Sequence, residues 1–155
     1  MNSNNIWYRA KQVEIQTTDN IKSGFDIGFD DNISEGIKVE LRKFVSWVEK
    51  NFNMPITLWV DFEYKHYLKD RNGNKVGFLF YWEDFNVYSR FENIDDIPEI
   101  RLPVRTEKST MEEILGSFVE AVTCYFAWLC NEITEDYLPN EKDVEEILVE
   151  YLKTK

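Results

Sequence analysis

The sequence predicts an α+β fold in which helices pack on a mostly antiparallel sheet. Three observations carry this. A helical apolar stripe runs from residue 34 to about 51. An alternating segment over 55–67 follows, with a turn and a returning strand behind it. Two more helical stripes close the chain, at about 109–131 and after Asn140. Helix, then strands, then helices is the order of an α+β layer structure rather than of alternating βα units. The chain has 155 residues, which suits a single domain over 1–155.

Residues 1–33 are polar and read as an irregular N-terminal segment, with one short strand expected at Gln12–Gln16. The Asp and Gly residues of 26–32 suggest a loop. Asp26, Asp30 and Asp31 fit no EF-hand spacing, so an ordinary turn is expected there. Ser34 is placed to cap the first long helix. Ile37, Leu41, Phe44, Val45, Val48 and Phe52 recur on one face of it, and Asn53 and Pro55 end it. In the next segment Ile56, Leu58, Val60, Phe62 and Tyr64 alternate with Thr57, Trp59, Asp61 and Glu63, the period of a half-buried strand. Lys69 to Asn74 contains Asn72-Gly73, a hairpin turn, and Val76, Phe78 and Phe80 form the return. A further strand is expected at Glu99–Val104, where Pro98 and Pro103 favour an edge position. Ser109-Thr110-Met111-Glu112 reads as a capping box. It opens the longest helix, with Ile114, Leu115, Phe118, Val122, Tyr125, Phe126 and Leu129 as its stripe. Asn140 caps the last helix, whose apolar side is Val144, Ile147, Leu148 and Tyr151.

Composition excludes several classes. The net charge of −11, from 29 acidic and 18 basic residues, argues against phosphate-driven binding of nucleic acid. The chain has no apolar run near the ~20 residues of a membrane span. The polar start Met1–Asn5 has no signal-peptide core, so a cytoplasmic location is expected. Cys124 and Cys130 lie six positions apart on a helix, about 240° around its axis, so no disulfide is expected between them.

The segment Glu120-Ala121-Val122-Thr123-Cys124-Tyr125-Phe126-Ala127-Trp128 carries the remaining information. It resembles the active helix of small bacterial zincin-type metallopeptidases, His-Glu-x-Thr-His-Tyr-Phe-x-Trp. Thr123, Tyr125, Phe126 and Trp128 match, and the three chemical positions hold Glu120, Ala121 and Cys124 instead. The resemblance implies a zincin-like minimal metallopeptidase scaffold. It also implies a substrate-supporting strand at Ile100–Val104, a third metal ligand from the final helix, and weakly a mobile-element context.

The chemistry of the replaced positions points away from proteolysis. Ala121 stands where a Glu would take a proton from the zinc-bound water, and losing a general base forfeits about 10²–10⁴-fold in rate. Without the two imidazoles the usual zinc-water site is gone as well. No cofactor is therefore expected, zinc included. The plain reading is that Ala121 and Cys124 fill space and Glu120 is a solvated acid. Two alternatives stay open. One is a rebuilt metal site of Glu120, Cys124 and a downstream carboxylate (Glu135, Glu141, Asp143 or Glu145), with Asp61 or Glu63 as base. The other pairs Cys124 with His66, the sole histidine. The expected function is a catalytically inactive zincin-like module that binds an unknown protein or peptide, with neither nucleic acid nor membrane as partner. Trp59, Trp82, Leu102 and Trp128 are the candidate walls of a groove left between edge strand and long helix.

Overall fold

The computed structural model describes residues 4–15, 22–83, 97–105 and 107–155. In chain order these form α1 (Ile6–Arg9), a 3₁₀ turn (Ala10–Gln12), β1 (Phe25–Phe29), α2 (Glu35–Asn51), β2 (Leu58–Glu63), β3 (Leu68–Lys69), β4 (Lys75–Val76), β5 (Leu79–Tyr81), β6 (Glu99–Pro103), α3 (Met111–Leu129) and α4 (Glu141–Leu152). The fold is α+β, with one correction. The main sheet, ordered β1-β2-β6-β5, is mostly parallel. β1 pairs with β2 and β2 with β6 in parallel, and β5 alone runs antiparallel, against β6. The cause is the crossover through α2, which returns the chain to the same end of the sheet before β2 begins.

Several local expectations shift with it. The segment before residue 33 is not irregular. Phe25-Asp26-Ile27-Gly28-Phe29 is an edge strand whose acid and glycine face away from the core. The strand expected at Gln12–Gln16 is absent over its described part: Gln12 belongs to the 3₁₀ turn and 13–15 have no regular structure, while Gln16 lies outside the described residues. Asp30 closes a turn by accepting from the Asn32 backbone N–H at 3.0 Å. β6 is an interior strand despite its prolines. Pro98 lies just before it, where its carbonyl accepts from Trp59 N–H at 3.1 Å. Pro103 is its last residue, and Val104 N–H takes up the bond to the Glu63 carbonyl at 2.7 Å. The missing proline donors thus fall at the strand ends. The expected return strand is split, since β4 pairs with β3 while β5 joins the main sheet. The capping box is one residue later than the sequence reading placed it, with Thr110 as cap and Glu113 as its partner.

The helices lie on one face of the sheet. Leu58, Val60 and Phe62 of β2 and Ile100 and Leu102 of β6 point to that face and are buried. Phe118 of α3 is the meeting point of the layers. Its ring lies 5.2 Å from Phe44 of α2, 5.3 Å from Phe62 of β2 and 5.9 Å from Phe25 of β1. From Phe118 to Leu129 every α3 residue except Glu120 is buried, so this helix runs through the core with scarcely a polar side. Trp7 of α1 is fully enclosed, tilted against Phe126 at 4.8 Å and edge-on to Phe52 at 5.0 Å. The opposite sheet face is polar and carries Asp61, Glu63, Glu99 and Arg101. Among the described residues, no helix is long and apolar enough to cross a membrane.

Candidate functional site

The framework positions of the α3 segment are explained by packing and hydrogen bonding. Thr123 Oγ1 accepts from Trp7 Nε1 at 2.8 Å and donates to the Val119 carbonyl at 2.7 Å. Tyr125 donates its phenol to the Ile56 carbonyl, tying α3 to the start of β2. Trp128 Nε1 donates to the Glu83 carbonyl at 2.8 Å, which holds the chain leaving β5 against the C-terminal turn of α3. Each buried donor has its acceptor, as an apolar interior demands. These residues are architectural anchors. Trp128, 1% exposed, is part of the core rather than a groove wall. Leu102, 0% exposed, points to the helix side of β6 and is likewise no groove wall.

The three replaced positions do not share one environment. Glu120 is exposed, whereas Ala121 is fully buried and Cys124 is 6% exposed. Burial pushes the Cys124 thiol up to about 12, and the Glu120 carboxylate adds to the shift. At neutral pH it is a protonated thiol, the form that neither attacks carbonyls nor binds metal well. Burial also raises the Glu120 carboxyl, helped by the charge of Glu141 in the first turn of α4. Tyr137 lies by this corner, its phenol pushed up to about 12 by burial and then by Cys124.

The other candidate ligands and bases are spread apart. Asp143 Oδ2 accepts from the Ile6 backbone N–H at 3.2 Å and so fastens α1 to α4. Glu135 borders a different cleft, and Glu145 is exposed. Asp61 and Glu63 lie on the sheet face turned away from α3. There Glu63 takes Arg101 in a two-pronged pair at 2.6 and 2.8 Å, which holds its carboxyl below the usual range. His66 is exposed in the turn after β2, with its ring against Tyr67 at 5.9 Å. Among the described residues, no three His, Cys, Asp or Glu side chains converge into a group that could hold a metal ion.

A cleft lies instead along β5. It encloses about 730 Å³ between the β3–β4 hairpin, β5 with the two residues after it, and Glu135 beyond α3. The hairpin contributes Lys69, Asp70 and Arg71, and β5 and its exit contribute Tyr81, Trp82 and Glu83. The hairpin turn is well specified. Gly73 takes φ +83°, and Asp70 accepts from the backbone N–H of Asn72 and of Asn74, both at 2.9 Å. Gly77, between β4 and β5, leads the chain close over α3, since a Cβ there would lie 3.0 Å from Ser117 Oγ. Of the four groove residues expected from sequence, Trp82 lines this cleft. Trp59 is half-buried in β2 and is not among its lining residues. Sequence reasoning missed Lys69, Arg71 and Tyr81. Its available signal was the run of cations Lys65, Lys69, Arg71 and Lys75 in an otherwise acidic chain.

Compared with family models, curated proteins and solved structures, the chain gives no match.

Proposed function

We propose that this chain is a non-catalytic, zincin-like binding module that holds an extended protein segment along the outer side of β5. The observation that carries the reading is the environment of the α3 positions. A buried methyl group occupies the position of the base, and a buried, protonated thiol occupies that of the second ligand. That corner has no group able to activate water at neutral pH. Binding is supported by the separate cleft along β5. An edge strand offers backbone donors and acceptors to an added strand, and Trp82 and the half-exposed Tyr81 supply aromatic surface beside it.

The test has two arms. Tag-free protein dialysed against trace zinc is assayed for metal content and for cleavage of a mixed peptide library. Neither stoichiometric zinc nor cleavage is expected. Zinc that is bound one-to-one and lost in Cys124→Ser would favour a metal-dependent hydrolase built on Glu120, Cys124 and Glu141. In the second arm a displayed peptide library is panned against the protein and against Tyr81→Pro, which removes a strand donor. Peptides retained by the first and lost by the second are the expected result; a library with no retained peptide would refute the binding reading.

A further inference from the structure

We infer that the segment held along β5 is acidic, and that Lys69 and Arg71 select it. The inference rests on the binding role just proposed and adds the chemistry of the ligand. The protein has a net charge of −11, so a cation on its surface has many carboxylates within reach. Arg9, Lys38, Arg42, Lys43, Lys65, Arg101 and Lys155 all have carboxylate partners within 4 Å. Lys69 and Arg71 have none among the described residues, although both are exposed and both line the largest described cleft.

The intervening acid does not neutralise them. Asp70 is committed to the turn, where its carboxylate accepts from Asn72 and Asn74. Lys75, across the hairpin from Lys69, is held over the Tyr67 ring at 4.5 Å and adds positive potential to the same ribbon. The hairpin is therefore a cationic wall beside an aromatic strand. A carboxylate-bearing segment on β5 would meet two unpaired cations, one of them a guanidinium suited to two-pronged contact. The remaining acids at the cleft, Glu83 and Glu135, are exposed and lie outside the hairpin. They would repel acidic side chains placed at their end, so the ligand's carboxylates belong opposite Lys69 and Arg71.

The experiment is a panned library of extended peptides read by sequencing, followed by affinity measurement on the intact protein. The wild type is expected to enrich Asp- and Glu-containing peptides. Lys69→Glu/Arg71→Glu should weaken those peptides by about 5-fold or more, the scale of two exposed charge contacts, and shift enrichment towards Lys and Arg. Both positions are exposed, so an unchanged melting temperature checks that the fold is intact. Affinity of the acidic peptides should fall as salt rises from 50 to 500 mM, as screening requires (concentrations on the order of those that shorten the Debye length from above 10 Å to a few Å). Peptides enriched without acidic bias, and indifferent to the charge swap, would overturn the inference and leave the binding role standing. Absence of any enriched peptide would overturn both.

Discussion

Glu99 illustrates how a single side chain can be set against its surroundings. It sits on the polar sheet face beside Asp61. Burial raises its carboxyl above the ordinary value, and the hydrogen bond and charge of Asp61 add to that. A carboxyl raised by folding favours the native state while it is protonated, and that contribution is lost as pH rises through its folded value. Glu99→Gln keeps the shape and removes the charge. It should raise the melting temperature at pH 7 and leave it nearly unchanged near pH 3, where the acid is neutral in both states. A thermal scan of the two proteins at both values checks this. At the same scale, the α3 segment was legible in part. The sequence showed which letters of a catalytic helix were replaced. Their environments could not be read, because whether residue 121 faces a cleft or a core depends on what packs over the helix. Ala121 meets the core and Glu120 meets solvent.

Among the elements, helices α2, α3 and α4 lie close to where periodicity placed them, because long apolar stripes are redundant signals. Strands were harder. β1 carries an Asp and a Gly within five residues, so its alternation was too short to stand out from a loop, and only pairing with β2 defines it. The position of β6 was misjudged because Pro98 and Pro103 mark strand ends as readily as sheet edges. The shortest helix is the most surprising. α1 has four residues, yet Trp7 is enclosed, Asn5 donates to the Asp143 carbonyl at 3.1 Å, and Tyr8 donates to Glu150 at 2.6 Å. No periodicity can show this in so short an element. Trp7→Ala should cost about 3–5 kcal/mol, the range for emptying a buried aromatic site. Denaturant unfolding measures it as a lower midpoint with an unchanged slope if the native state stays compact.

For the molecule as a whole, the −11 charge and one-sided layering act together. The sheet face away from the helices is polar and uncovered by any described helix, with Asp61 and Glu99 close on adjacent strands. Exposed like charges oppose the compact state, and salt screens them. Raising NaCl from about 50 to 500 mM should therefore raise the melting temperature at pH 7, the lower figure giving a Debye length somewhat above 10 Å. A fall would mean that the exposed ion pairs outweigh this repulsion. The cationic hairpin is the exception within that field, and its charge is local enough to escape a reading based on net charge.

The strand order β1-β2-β6-β5 also bears on how the chain is made. A ribosome delivers β2 and β5 well before β6, yet β6 is the strand that lies between them. Until residue 103 has left the exit tunnel, one long flank of β2 has no neighbour, and β5 has nothing to join. The apolar sides of both strands then wait for α3, which is synthesised later still. The newborn chain thus carries open, sticky strand flanks for much of its synthesis, the condition under which nascent proteins engage chaperones or clump.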